Sequence, residues 1–451
     1  MKTPSAVLLL LLSACASYSK ERGHDEVARL VEERTGQKTH WESGGPEEQE
    51  ISDHVSALLK EGLTRERAIA VALVNNRDLQ ATYEELGISQ ADMVQAGLLK
   101  NPSLGLHLGI PLTPSSFETE VSLVQDFLDL FVLPVRKGIA QDQFVADTLK
   151  VAHQALMVAA EVSKAFVAVQ AGEKLLGIRR QVQEGAAATA DLAQRQFDAG
   201  NIHELNLLTQ QASAEQTRFE LGQDELELIE AREKLNHLLG LFGDQTAWRL
   251  ATSLQGPPAV EFGLEKLEAT AVRRRLDIAA ARKQVEILAR AEELARTWRF
   301  FGRIDVGVVG HQDPDGPRLI GPSLTLDLPI FDQRQAVIAR LGAQRRQGER
   351  RLAALSIEAR SDVRATAARV STARRAAERY QKVLLPMREK LVEQTQLHYN
   401  GMQIGLMQLL SARREQIEAL RGLVIAQRDY WSAVADLERA TGGTLVAGVK
   451  P

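Results

Sequence analysis

Two periodicities alternate along the chain. From Thr64 to Lys100, "TRERAIAVALVNNRDLQATYEELGISQADMVQAGLLK", apolar residues recur at the spacing of a helix face. Thr64, with Glu66 and Arg67 behind it, is a start signal, and Asn101-Pro102 ends the run because proline disfavours helical backbone at its predecessor. The period then falls to two. "SLGLHLGIPL" puts Leu104, Leu106, Leu108 and Ile110 on one face and Gly105, His107 and Gly109 on the other. "PLTPSS" reads as a turn, and "FETEVSLVQDF" as a second strand with Phe117, Thr119, Val121, Leu123 and Gln125 on one face. Each strand has the length that crosses a membrane within a barrel. A long helix is expected from about Val132 to Ala199, a break at Ala199-Gly200-Asn201, and a second helix from Ile202 to Leu241. In the latter, Leu205, Ala212, Phe219 and Leu226 recur every seven residues, as do Leu221, Leu228 and Leu235, which asks for coiled-coil packing. "GDQTAWRLATSLQGPPAVEFG" reads as a loop.

The whole pattern then starts again. "LEKLEATAVRRRLDIAAARKQVEILARAEELAR" aligns with the first helical stretch, Asp277 on Asp78 and Ile287 on Ile88. "IDVGVVG" and "LIGPSLTLDLPIF", joined by the turn "HQDPDGP", form a second hairpin. A long helix from about Gln333 to Tyr399 breaks at Asn400-Gly401, and a last helix runs from Ile404 to Ala440. Pro386, inside the third long helix, is expected to kink or loosen it. The break "FDAGNIHELNLLTQ" aligns with "YNGMQIGLMQLLSA": Phe197 on Tyr399, Ile202 on Ile404, Leu207 and Leu208 on Leu409 and Leu410. The chain therefore reads as a tandem duplication of helix, hairpin, long helix, turn, long helix. Repeats of 63–262, with strands at about 103–111 and 117–127, and of 263–442, with strands at about 303–311 and 319–330, are expected, followed by a tail, 443–451.

Composition changes the picture little, and the N-terminus changes it more. With 55 basic and 59 acidic residues there is no field for nucleic acid. "MKTPSAVLLLLLSACAS" has a basic Lys2, an apolar stretch and small residues, as a secretory signal of residues 1–14 would. Leu12-Ser13-Ala14-Cys15 resembles a bacterial lipobox, and Cys15 is the only cysteine, so Cys15 is the expected lipidation site. Ala16 and Ser17 lack the aspartate that retains such lipoproteins at the inner membrane, which favours the outer membrane. Residues 15–62 read as a charged, linker-like extension with a short helix around 26–34. Beyond the N-terminus there is no run of 18 apolar residues, so no helical membrane span is expected.

The fold class expected is a mixed α/β membrane protein: long antiparallel, coiled-coil-like helices plus four strands. Two hairpins cannot close a barrel alone, and an open strand edge in lipid leaves backbone groups unsatisfied, so identical partners in a ring are required. The helices then serve as staves of a hollow cylinder. "NNRDLQATYEELGISQADMVQAGLLKNPSL", "LDLPIF" ahead of a long helix, and the paired "FDAGNIHELNLL" and "YNGMQIGLMQLL" resemble the TolC family of outer-membrane efflux channels over nearly the full mature length. The resemblance implies a homotrimer with a twelve-stranded transmembrane β-barrel and a helical tunnel reaching into the periplasm. It would dock with a periplasmic adaptor and an inner-membrane pump, exporting metal ions or drugs. It implies that the two turns form a tip, with adaptor docking at Gly200, Asn201, Ile202, Leu205, Asn206 and Leu208 and at Met402, Gln403, Ile404, Met407, Gln408 and Leu410. Where many relatives place acidic residues near the tip, this chain has Asn206, Thr209, Gln408 and Ser411.

The nine histidines show no pair at four-residue helical spacing, and no phosphate loop or nucleophile motif is present, so no metal site, cofactor or enzymatic activity is expected. The competing reading is a periplasmic coiled-coil adaptor or structural lipoprotein, which would not need four alternating strands of membrane-crossing length.

Overall fold

The computed structural model describes residues 23–42, 47–110, 117–258, 266–312 and 316–445. Cys15, the 111–116 turn, most of the 313–317 turn and the last six residues lie wholly or largely outside that set. In chain order the elements are α1 (His24–Thr35), α2 (Glu47–Lys60), α3 (Arg65–Asn75), α4 (Arg77–Ala96), β1 (Ser103–Gly109), β2 (Glu118–Asp126), α5 (Leu128–Asp198), α6 (Glu204–Leu239), α7 (Leu267–Arg274), α8 (Leu276–Thr297), β3 (Ile304–Gln312), β4 (Arg318–Leu326), α9 (Gln335–Arg379), α10 (Leu385–Asn400) and α11 (Leu406–Thr441). They fall into two compact units, one built on Tyr83–Val151 and Asp277–Leu355, the other on Glu26–Thr82, Ala152–Leu276 and Ser356–Pro451.

The first unit holds one antiparallel sheet in the order β1-β2-β3-β4. Its register sorts the side chains by chemistry. The row Leu106, Val121, Gly310, Ile320 and the row Leu104, Leu123, Val308, Pro322 put most of the aliphatic residues on one face. Intervening rows such as Gly105, Ser122, Val309, Gly321 put small and polar residues on the other. His107 stands on this polar face opposite Glu120, which also opposes His311. Among the described residues no group of three or more histidine, cysteine or acidic side chains is placed to hold a metal ion. Among the described residues β1 pairs only with β2 and β4 only with β3, so each outer strand has one row of backbone groups with no described strand beside it.

Several boundaries differ from the sequence expectation, each for a local reason. The first helical stretch is two helices, because Asn76 is extended (φ −65°, ψ 119°) and its side-chain oxygen accepts from the Leu79 amide at 2.8 Å, capping α4. The same break recurs at Arg275 (φ −64°, ψ 124°) between α7 and α8. Residues 47–60, expected to be part of a linker, are the helix α2, which buries Val55 and Leu59. α5 begins at Leu128, ahead of the expected Val132, and carries Pro134 inside its first two turns. It starts early because Asp126 accepts from the Asp129 amide at 3.3 Å, while the Asp129 carboxylate takes Arg136 at 2.6 Å and the Lys100 amide at 3.1 Å. Arg136 in turn donates to the Ala96 and Leu98 carbonyls that end α4. β4 ends at Leu326, short of the expected residue 330, ahead of Pro329, which has no amide to donate.

α5 is one helix of 71 residues, roughly 105 Å at the standard rise. One 18-residue window of it is apolar enough by composition to cross a membrane, but 67% of that window is buried inside the protein, as a packing face would be. Within the second unit it packs through small residues. Ala155, Ala159, Val162, Ala165, Val169 and Ala171 are all buried, so neighbouring backbones come close. Val167 and Ala171 cluster with Leu254 and with Val424 of α11. Beside them Lys174 donates to the Leu254 carbonyl, and burial pulls its pKa below the ordinary lysine value. A second cluster joins Val363 and Val370 of α9 to Tyr430, Val434 and Leu437 of α11. Thr64 caps α3 by accepting from the Arg67 amide at 3.2 Å, and Arg65 reaches Ser163 at 3.2 Å and pairs with Glu438.

The disturbance expected at Pro386 is present one turn earlier than the proline. Tyr380–Leu384 form a π turn, in which the Leu385 amide reaches the Tyr380 carbonyl. In a regular helix the proline ring would strike the Lys382 carbonyl and leave it without a donor; widening the turn removes both faults.

Candidate docking tip

Each long helix pair of the second unit ends in the same turn, built the same way. At the end of α5, the Gly200 amide donates to the Phe197 carbonyl and the Asn201 amide to the Gln196 carbonyl, both at 2.8 Å. Gly200 is left-handed, at φ 72°. This is the Schellman closure of a helix, which satisfies otherwise orphaned carbonyls and favours glycine at its left-handed position. At the end of α10 the Met402 amide donates to Tyr399 and the Gln403 amide to His398, both at 2.9 Å. The left-handed residue there is Met402, at φ 55°. A long apolar side chain thus occupies the position that glycine holds in the first turn. It is 94% exposed, so no packing within the chain offsets the backbone cost of about 1 kcal/mol.

Leu207 and Leu409, beside the expected tip residues, form the buried core of the turns; of the expected residues themselves, Ile202, Ile404 and Leu410 are half-buried. Leu205, Asn206, Leu208, Met407 and Gln408 are exposed. Gln403 turns its side-chain oxygen to the Nδ1 of His398. The two turns sit side by side. Gln210 reaches the Met407 sulfur at 3.6 Å, and a cleft of about 630 Å³ opens between them. Ile202, Asn206, Met407 and Gln408 line it, whereas Gly200, Asn201, Leu205, Leu208, Met402, Gln403, Ile404 and Leu410 do not. The cleft also takes Leu192, Gln196, Gln210 and Tyr399, which sequence reasoning missed, because they come from helix faces whose neighbours only the tertiary fold supplies. Among the described residues no charged side chain lines it; its chemistry is amide, hydroxyl and thioether over aliphatic walls.

Above the turns the two helix pairs differ. Arg179 of α5, itself buried, pairs with Glu220 and, at 2.8 Å, with Asp224 of α6. At the aligned places in the second pair stand Gln381, Gly422 and Ala426, which cannot make such a clamp, and the π turn lies there instead.

The upper end of α6 is held by an asparagine pair. Asn75 donates to the Leu239 and Gly240 carbonyls at 2.8 and 3.0 Å, and Asn76 to the Leu238 carbonyl at 2.7 Å. The "NNRDL" stretch thus closes the C-terminus of α6 and opens α4.

This geometry has counterparts. The model of the family described as outer membrane efflux protein matches residues 68–241. The cobalt-zinc-cadmium resistance protein CzcC of Cupriavidus metallidurans is 23% identical over 397 residues, covering 84% of this chain and 90% of that protein. A membrane protein from Pseudomonas aeruginosa shares the fold with a TM-score of 0.72 at 21% identity, over 86% of this chain and 92% of the other. So does the CmeC outer membrane channel of Campylobacter jejuni, with a TM-score of 0.71 at 15% identity, over 84% and 86%. With its two-faced sheet and its helix pairs, the chain shares the fold of these membrane-protein structures, and its residues 68–241 match the outer membrane efflux protein family.

Proposed function

We propose that this protein is the outer-membrane duct of a tripartite efflux system, a passive channel that carries metal ions or drugs outward while a pump supplies the energy. One observation carries the reading: a four-stranded sheet, mainly aliphatic on one face and mainly small and polar on the other, with neither edge paired to a strand among the described residues. Such a sheet suits lipid on one side, a wet lumen on the other and identical neighbours at both edges. Three copies give a closed twelve-stranded barrel. The cobalt-zinc-cadmium resistance relative supports metal ions as cargo. Lipidation at Cys15 adds an anchor in the outer membrane, and the chain is organised as two repeats, 63–262 and 263–442, behind the 15–62 extension. Single particles of the detergent-extracted protein, viewed by electron microscopy, are expected to be hollow and three-fold; a monomer or a solid rod would refute the duct.

The face assignment has its own test. Val308 and Val309 are neighbours on opposite faces of β3. Val308→Arg is expected to cost about 2–4 kcal/mol of stability in lipid, and Val309→Arg about 1 kcal/mol or less. Equal losses would show that the aliphatic face does not meet lipid.

The adaptor docks at the tip, through Gly200, Asn201, Ile202, Leu205, Asn206 and Leu208 of the first turn and Met402, Gln403, Ile404, Met407, Gln408 and Leu410 of the second. Met402→Gly separates docking from folding. Glycine relieves the left-handed backbone, so thermal stability should hold or rise by up to about 1 kcal/mol. Adaptor binding, measured by co-purification or surface plasmon resonance, should weaken about tenfold, the loss of one exposed apolar anchor. Unchanged adaptor affinity would remove Met402 from the docking surface.

A further inference from the structure

Within the second unit, arginines from four helices come together. Arg34 lies in the last turn of α1, Arg65 begins α3, Arg274 ends α7 and Arg439 lies in the last turn of α11. Arg34 is well enclosed, with 14% of its side chain exposed. Its Nη1 donates to the Leu30 carbonyl of its own helix at 3.0 Å and lies 3.5 Å from Glu33, whose carboxylate is half in solvent. Its Nε is buried and meets no hydrogen-bond partner among the described residues. Gly443 lies against both Arg34 and Arg274: a methyl group there would be 2.9 Å from the Arg34 Cβ and 3.1 Å from the Arg274 Nη2. Burial, and then the charge of Arg274, holds the pKa of Arg34 below the ordinary arginine value.

The carboxylates nearby do not balance this group evenly. Glu438 is taken by Arg65. Asp436 lies 4.0 Å from Arg439 but only 3.2 Å from Lys164. A pocket of about 40 Å³ opens among these side chains, lined on its polar side by Arg34, Arg65, Arg439, Ser163 and the Glu438 carboxylate, and on its apolar side by Leu156, Ala159 and Ala160 of α5. One water needs roughly 10–15 Å³, so there is room for a small ion. Ser163 is 2% exposed; its oxygen accepts from the Arg65 Nε at 3.2 Å, which leaves its own proton to donate. A buried guanidinium N–H with no acceptor is costly, and a charge-assisted bond to an anionic oxygen is a strong way to meet it. Guanidinium forks also fit the paired oxygens of an oxyanion, which a spherical halide lacks.

We propose that this pocket binds a small oxyanion of the inorganic phosphate class, held by the Arg34 Nε, the Arg439 guanidinium and the Ser163 hydroxyl, with the charge of Arg274 close by. Arg65 neutralises Glu438, so the one carboxylate on the pocket does not repel the anion. The site fastens two distant parts of the chain. The Thr444 amide and hydroxyl both donate to the Arg34 carbonyl, at 2.8 and 2.9 Å, so an anion held by Arg34 ties α1 to the segment that follows α11. The pocket is remote in sequence from the strands and the tip turns, and its anion does not depend on the duct reading.

The test uses the full chain in detergent, in phosphate-free buffer at constant ionic strength. Titration calorimetry with inorganic phosphate is expected to show saturable binding of about one ion per chain, with sulfate competing and chloride not. Arg34→Gln and Arg439→Gln should each weaken phosphate binding on the order of tenfold or more. Arg428→Gln, elsewhere on α11 and paired with Asp429, should leave it unchanged. Should Arg34→Gln fail to fold, Arg439→Gln decides, since Arg439 is one-quarter exposed. As a second readout, phosphate should slow amide hydrogen exchange at the end of α1 and at Thr444 in the wild type but not in Arg34→Gln. No saturable binding at millimolar phosphate would overturn the site. Chloride matching phosphate would show screening alone and refute an oxyanion pocket. Affinity retained in both arginine variants would mean an adventitious ion only, bound elsewhere.

Discussion

Gly240→Ala is expected to destabilise the protein by about 3 kcal/mol or more, enough to lower its level in the cell. Gly240 ends α6 at φ 68°, and a methyl group there would lie 2.2 Å from the backbone carbonyl oxygen of Asn75. The left-handed backbone alone costs about 1 kcal/mol with a side chain. The larger part comes from forcing apart the ends of α3 and α6, which would stretch the bonds from Asn75 and Asn76 to the α6 carbonyls. Gly177→Ala is the control: it lies inside α5 with nothing within 4 Å, and should stabilise by roughly 0.5–1 kcal/mol. Thermal unfolding of both variants in detergent decides the matter. If the two behave alike, the contact between Gly240 and Asn75 does not hold these helices together.

Arg179→Ala is expected to cost about 3 kcal/mol, because it strands two carboxylates, Glu220 and Asp224, one helical turn apart beside a packed helix. The neighbouring Arg180→Ala should cost about 0.5 kcal/mol or less, since its pair with Glu225 is 3.4 Å long and solvent-exposed. Replacing all three members of the clamp with apolar residues of similar size should recover much of the loss, since attraction within a buried group does little more than offset its desolvation. Equal losses at Arg179 and Arg180 would show that the clamp contributes nothing beyond surface charge. A full recovery with the apolar triple would locate the cost in the stranded charges.

The alternation of apolar and polar residues was enough to place the strands and long helices, because period two and period 3.6 are local properties of a chain that buries one face of each element. The turns were legible for the same reason: Gly200 and its surroundings repeat at Met402, and the hydrogen bonds that close both turns run between residues three to five apart. The break at Asn76 was not legible. Its cause is a side chain that serves α4 locally and the end of α6 at a distance of 162 residues in sequence. Helix α2 was missed because its charged residues outweigh the two apolar positions that bury.

Composition, the two periods and the recurrence of one pattern at a near-constant spacing thus determined the class of this protein, its strand faces and the location of its turns, since each depends on neighbours within a few residues. Only the tertiary structure decided that Met402 stands exposed in a glycine's conformation, that the two turns share one cleft, and that Arg179 meets Glu220 and Asp224. Those depend on which helix lies beside which, and distant side chains meeting across helix faces leave no periodic trace in a single sequence.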